Sequence, residues 1–213
     1  MKRVLIVEDQ RFARDHLESC VLKNENYYLV KSVTSAIYAE EICKSSSIDL
    51  IIMDVCTEFD ADGIEAAKNI KNRYPDIKII IVTSMIESDF LRRAKEAGVD
   101  SFWYKDVGIE ELVVVMDKTM NGESVYPAEV PSIQVGLCQS CDFTESELKV
   151  LRVLCEGLSF KEMSERLGIE VSTVHYHVNN MLRKTGYPNR NRLVIAVINK
   201  KLIVPGSDRD LFG

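Results

Sequence analysis

The sequence predicts an α/β fold, a doubly wound five-stranded parallel sheet, followed by a second, smaller all-α domain of four helices built on a helix-turn-helix. Three observations predict it. The first ~120 residues alternate β-branched apolar runs with stretches of helical periodicity, the pattern of βα units. The runs lack an apolar–polar alternation, as suits strands covered on both faces. Beyond residue 142 the strand pattern stops and only helical periodicity remains.

Strands are predicted over 3–7, 28–33, 49–53, 77–82 and 100–104, and helices over 11–23, 36–44, 62–73, 87–97 and 108–121. Ile64, Ala67 and Ile70 mark the inward face of the third helix, and Leu112, Val115 and Met116 that of the fifth. Pro75 stops the third helix, and Gly98 follows the fourth where a left-handed residue closes a helix. Residues 122–142 hold two prolines, two glycines and scattered Ser and Gln, which reads as a linker. Thr144 and Glu147 then form a capping box that opens a helix over 145–156. Further helices fit 159–167, 171–185 and 189–199. The domains are therefore 1–121, a linker 122–142, and 143–207.

With 213 residues, 46% of them hydrophobic, the chain can bury two modest cores. The longest apolar runs, such as Leu50–Met53 and Leu112–Met116, are too short for a bilayer. The N-terminal apolar stretch runs straight into Glu8 and Asp9, too short to read as a signal peptide. A cytoplasmic protein with no membrane partner is expected. Its six cysteines then read as free thiols. Cys138 and Cys141 have a spacing used by metal and redox sites, yet no second Cys/His pair with zinc spacing follows them. Residues 1–142 hold 16 Lys+Arg against 25 Asp+Glu, and residues 143–213 hold 11 against 8. A net of −9 beside a net of +3 points the second part toward a polyanion.

Five residues carry the chemistry of the first domain. Glu8 and Asp9 follow the first strand, Asp54 the third, Thr83 the fourth and Lys105 the fifth. In an open α/β sheet, ligands collect outside the carboxyl ends of the strands, where strand order reverses. If the order is 2-1-3-4-5, the three carboxylates converge at that point. Such a cluster repels itself unless a hard cation such as Mg²⁺ sits in it. Asp54 could then attack a phosphoryl group, with the metal and the Lys105 ammonium offsetting charge on the transferred oxygens. Thr83 offers a hydroxyl to one of those oxygens.

VLIVEDQ, DLIIMD, IIIVTS and the Lys105-Asp106 pair resemble the receiver domain of two-component response regulators, over roughly residues 1–121. The resemblance implies Asp54 as phosphoacceptor, and Glu8, Asp9, Asp54 and the Cys56 backbone carbonyl as Mg²⁺ ligands. It implies Thr83 and Phe102 as a switch pair that favours a homodimer on phosphorylation, and a sensor histidine kinase as partner. One stretch departs from the family. After Asp54 the loop Val55–Asp62 lacks the usual Met-Pro, is one residue longer before Gly63, and carries three extra carboxylates, Glu58, Asp60 and Asp62. These read as solvated charge.

In the second domain Val174, Val178, Met181 and Leu182 make one apolar stripe along helix 171–185. Ser172, His175, Tyr176, Asn179 and Arg183 lie on the opposite face, a set rich in hydrogen-bonding groups that suits a major groove. The run FTESELKVLRVLCEGLSFKEMSERLGIEVSTVHYHVNNMLRK is similar to the LuxR-type (NarL/FixJ) DNA-binding domain. The resemblance implies double-stranded DNA as partner, with Ser172, Thr173, His175, Tyr176, Asn179, Arg183 and Lys184 at the DNA. His175 stands where the family often has Lys.

Together these imply a response regulator in which Mg²⁺-dependent phosphorylation of Asp54 controls sequence-specific DNA binding. It is no enzyme beyond acting on its own phosphoryl group. A second reading keeps the DNA binding but makes the receiver a phosphate-independent dimerisation platform, on the strength of the altered 55–62 loop.

Overall fold

A computed structural model of the chain describes residues 1–105 and 111–203. The chain divides into two compact units, the first taking in Met1–Ser84 and Ser88–Val130 and the second Met85–Glu87 and the residues from Pro131 on.

The first unit runs β1 (Lys2–Val7), α1 (Arg11–Leu22), β2 (Tyr27–Val33), α2 (Ala39–Ser45), β3 (Leu50–Asp54), β4 (Cys56–Thr57), β5 (Ala61–Asp62), α3 (Gly63–Arg73), β6 (Lys78–Thr83), α4 (Ser88–Glu96), β7 (Ser101–Tyr104) and α5 (Leu112–Met120). Five strands pair in parallel in the order β2-β1-β3-β6-β7, so strand order reverses between β1 and β3. On one face Val4, Ile6, Leu50, Ile52, Ile80 and Val82 pack with Leu17 and Val21 of α1 and Leu112, Val115 and Met116 of α5. The alternate residues Leu5, Val7, Ile51, Met53, Ile79 and Ile81 are equally buried on the other face, where α3 lies against β3 and β6. That double coverage is why the strands read as unbroken apolar runs.

Several boundaries differ from the sequence reading. Asp54 and Thr83 are the last residues of β3 and β6 rather than the first of the loops. The ladder still has partners for them, Asp54 opposite Val82 and Thr83 opposite Tyr104. The expected helix from 36 opens as a 3₁₀ turn, Ala36–Tyr38, capped by the Ser35 hydroxyl. The expected turn at 108–110 lies outside the described residues, and extended backbone at Glu111 makes Leu112 the first helical residue of α5.

The loop after Asp54 is not merely solvated charge. β4 and β5 form a small antiparallel hairpin, with Cys56 opposite Asp62 and Thr57 opposite Ala61. The Glu58 carboxylate accepts from Thr34 Oγ1, and its carbonyl accepts from the Ser35 hydroxyl at 2.8 Å. Asp62 caps α3 through the amides of Ile64 and Glu65, and pairs with Arg93. Two of the three extra carboxylates thus fix the loop in place.

Nor is 122–142 without structure. It holds a hairpin, β8 (Gln134–Val135) with β9 (Cys138–Gln139), and a 3₁₀ turn, Ser140–Asp142. The helices α6 (Glu145–Cys155), α7 (Phe160–Leu167), α8 (Val171–Thr185) and α9 (Arg190–Asn199) follow. Leu151, Leu154, Met163, Val174, Val178, Met181, Leu193 and Val197 form their common core. The hairpin packs on the end of α8: the Leu137 amide donates to Thr185 O at 2.9 Å. A Cβ on Gly136 would fall 2.0 Å from that same oxygen, so only glycine fits there. Residues 204–207, the expected end of this domain, lie outside the described residues.

Candidate functional site

The loop after β1 and the end of β3 bring Glu8, Asp9 and Asp54 together, with one carboxylate oxygen of each within 4.8 Å of the others. Glu8 is fully buried and Asp54 nearly so. Their positions are held by backbone: Glu8 Oε1 accepts from the Gln10 amide (3.0 Å), and Asp54 Oδ1 from the Val55 amide (2.7 Å). Arg14 of α1, unnoticed in the sequence, ties down the Glu8 and Asp9 carbonyls at 2.8 and 3.2 Å. Gly63 lies against Asp54 so closely that a Cβ there would stand 1.9 Å from Asp54 O. The glycine is needed for this close approach of α3 to the end of β3, not for an unusual φ.

Lys105 closes the group. Its ammonium lies 3.0 Å from Asp54 Oδ2 and bonds Glu8 Oε2. Its amide donates to Thr83 O at 2.9 Å, so Lys105 and Thr83 share adjacent strand ends. Burial pushes the Asp54 carboxyl up, to about 7, against the pull of Lys105 and with a push from Glu8. Burial alone would lower the Lys105 ammonium, but Asp54 and Glu8 outweigh it and hold it above its ordinary value. A single lysine therefore faces two buried acids.

A hard cation fits this donor set. Every donor in the cluster is a carboxylate oxygen, and Asp9 Oδ1 is shut off from solvent with no hydrogen-bond partner among the described residues. Such an orphaned acceptor destabilises a fold unless something fills its place. Cys56 sits at the head of β4, two residues past Asp54, on the strand pair that leads to Gly63.

Phe102 lies further down β7, fully buried, with Tyr104 edge-on at 5.1 Å and Tyr126 stacked at 6.5 Å. In the sequence Tyr104 falls within the predicted fifth strand and Tyr126 within the linker. Only the register, which puts Tyr104 beside Thr83, draws attention to them.

In the second unit Gly168, in the left-handed conformation, ends α7 and turns the chain into α8. The capping boxes Thr144/Glu147 and Ser159/Glu162 start α6 and α7. Ser172, His175, Tyr176, Asn179 and Arg183 are exposed along α8, while Thr173 is half-buried. The His175 ring sits 4.2 Å from Phe160, whose ring also faces the Arg190 guanidinium at 4.8 Å. Lys184 is differently placed. Its ammonium is bound to Glu147 Oε2 (2.6 Å) and Asp142 O (2.8 Å), so it braces α8 against α6. The long-range acid partner is invisible in the sequence, where the resemblance puts Lys184 at the DNA.

An acidic pocket at the switch point of a doubly wound sheet, in one chain with a helix-turn-helix whose outer face is polar, defines a class of two-domain DNA-binding regulators. The family model of the response regulator receiver domain matches residues 4–117, and that of the bacterial regulatory proteins of the luxR family matches 142–197. Response regulator protein VraR of Staphylococcus saprophyticus is 32% identical over 206 residues, covering 94% of this chain and 98% of that protein. VraR of Staphylococcus aureus strain NCTC 8325 is 32% identical over 208 residues, with the same shares. Among solved structures, RcsB from Salmonella enterica serovar Typhimurium, bound to a promoter in the presence of phosphomimetic BeF3−, superposes with a TM-score of 0.61. That match covers 92% of this chain and 98% of RcsB at 18% identity, a likeness of fold. The chain belongs to the response regulators that join a receiver domain to a LuxR-type DNA-binding domain.

Among the described residues no helix is long and apolar enough to cross a membrane.

Proposed function

We propose that phosphorylation of Asp54, dependent on Mg²⁺, controls sequence-specific DNA binding by α8. The observation that carries this is the convergence of the buried Glu8 and Asp54 with Asp9 and Lys105. Glu8, Asp9, Asp54 and the Cys56 carbonyl would hold the metal, which when bound supplies positive charge to the three carboxylates and the phosphoryl oxygens. An Asp54 oxygen attacks phosphorus, and the bond to the donor's leaving group breaks as the acyl phosphate forms. Lys105 is already within reach of that oxygen and stabilises the charge that builds beside it. Thr83 donates its hydroxyl to a phosphoryl oxygen, and Phe102 moves with it.

The physiological donor in this reading is a sensor histidine kinase, in the cytoplasm. The active form is a homodimer; the related fold of RcsB is seen as two dimers bound to two parallel DNAs. A two-fold dimer reads an inverted repeat with half-site centres about one helical turn apart. Helix α8 enters the major groove with His175, Tyr176 and Asn179 toward base edges. Ser172, Thr173, Arg183 and Lys184 lie toward phosphates, Lys184 after leaving Glu147 or by sharing it.

Mass spectrometry with phosphoramidate as donor tests the chemistry. One phosphoryl adduct is expected, lost in Asp54→Asn and suppressed by a chelator. Undiminished labelling of Asp54→Asn would place the phosphoacceptor elsewhere.

A further inference from the structure

The receiver's switch residue Phe102 is packed between two tyrosines, one on each side. Toward the pocket stands Tyr104, the register neighbour of Thr83, so the side chains of Thr83 and Tyr104 share one face of the sheet. Away from it stands Tyr126, which comes after α5. Thr83, Tyr104, Phe102 and Tyr126 thus form a continuous row from the phosphorylation pocket to the start of the linker.

Two features make this row more than filling. Tyr104 is buried, and among the described residues its hydroxyl has no hydrogen-bond partner. A buried orphan hydroxyl destabilises the state that contains it, and a phenylalanine would fill the same space without that cost. The resting arrangement is therefore one that a change near Thr83 readily disturbs. At the other end, the residues before Tyr126 and Tyr126 itself are stitched to the outer edge of the sheet. Val125 O accepts from the Phe102 amide (2.8 Å), the Val125 amide donates to Ser101 Oγ (3.0 Å), and the Tyr126 hydroxyl donates to Val99 O (2.7 Å). The Lys95 ammonium lies over the Tyr126 ring at 5.2 Å. These bonds cover the free edge of β7, but they are few, and one of them starts from Phe102 itself.

We propose that Tyr126 is a latch on Phe102, and that phosphorylation opens it through Tyr104. This rests on the phosphorylation of Asp54 proposed above. When Thr83 turns its hydroxyl to the phosphoryl oxygen, Tyr104 shifts into the space that it leaves. Phe102 loses its edge-on neighbour and follows. Tyr126 then has no ring to stack on, and the Val125–Tyr126 segment comes off the edge of β7. The signal leaves the receiver as a loosened linker. Tyr104 and Tyr126 act as positioning residues, neither of which touches the phosphoryl group.

Hydrogen exchange at the Phe102 and Val125 amides, both held by this pairing, reads the latch directly. Trp103, the only tryptophan in the chain, lies between Phe102 and Tyr104 in the sequence and reports on β7 by fluorescence. The full-length protein is treated with phosphoramidate and Mg²⁺, with the adduct counted by mass spectrometry in the same samples. Wild type is expected to exchange at these two amides at least tenfold faster once phosphorylated, with a change in Trp103 emission. Tyr104→Phe is expected to take the adduct equally while the exchange response falls by most of its size. Tyr126→Ala is expected to exchange fast without phosphate, and Tyr126→Phe, which keeps the ring, to restore most of the protection. Wild type that carries the adduct and still protects both amides overturns the latch and leaves the phosphorylation reading intact. Absence of any adduct at Asp54 overturns that reading and the latch with it.

Discussion

In the first unit Glu8 and Asp54 are buried at one point against the half-buried Lys105, and one ammonium serves two acids. In the second, the buried acid Glu147 sits in a capping box, bonded to the Thr144 amide and to Lys184. The first arrangement is unbalanced and the second is satisfied. An unbalanced buried cluster stores a response, because any added charge rearranges its partners. A satisfied pair holds a shape. The receiver is thus built to change, and the helical unit to present an unchanging face.

The largest expected effect comes from disturbing the backbone behind the unbalanced cluster. Gly63→Ala would put a methyl carbon 1.9 Å from a backbone oxygen of Asp54, which cannot rotate away. We expect a loss of about 2–4 kcal/mol of receiver stability by denaturant unfolding. A loss below about 1 kcal/mol would mean that α3 yields easily and that the pocket is less rigid than described.

The next effect is on the unchanging face. Asn179 is exposed on α8, and Asn can pair bidentately with adenine. Asn179→Ala should cost about 1–3 kcal/mol in binding and relax preference at one base position. Binding-site selection with both proteins checks this; the same preference in both would move the reading face elsewhere on the domain.

A smaller effect sharpens the contrast in how Lys184 is used. Lys184→Ala removes the partner of Glu147 and should destabilise the second unit by about 1 kcal/mol. Burial works to raise the Glu147 carboxyl, yet Lys184 and the Thr144 amide outweigh it and hold it below its ordinary 4.5. A depressed folded-state value gives stability that is present above pH 4.5 and lost as pH falls through the folded value. In Lys184→Ala that acid-side loss should be shallower. If Lys184 also meets a DNA phosphate, the salt slope of binding should fall by about one unit. An unaltered slope with the stability loss would make it a brace alone.

Much of this was legible in the sequence. The five strand runs, the capping box at Thr144 and the polar face of α8 follow from local patterns, and the structure has them in the same order. What was not legible depends on distant partners. The tie of Glu58 to Thr34 and Ser35, 24 and 23 residues earlier, turns an apparently solvated loop into a fixed hairpin. The pairing of Lys184 with Glu147 spans 37 residues. The β8–β9 hairpin did carry a local signal, Gly136 opening a two-residue turn, but its strands are too short to show alternation. Tyr104 and Tyr126 look ordinary until the fold brings both rings against Phe102 and the register of β6 with β7 puts Tyr104 beside Thr83.

The central claim is that charge added at Asp54 is felt at α8. The most direct measurement is DNA affinity of the full-length protein at fixed salt, with and without phosphoramidate and Mg²⁺, beside Asp54→Asn treated identically. A coupling of about 1–3 kcal/mol predicts an affinity gain of roughly 5–150-fold in wild type and none in Asp54→Asn. Equal affinity of phosphorylated and unphosphorylated wild type, with the adduct present in full, would contradict it and leave the receiver as a platform that ignores its own pocket.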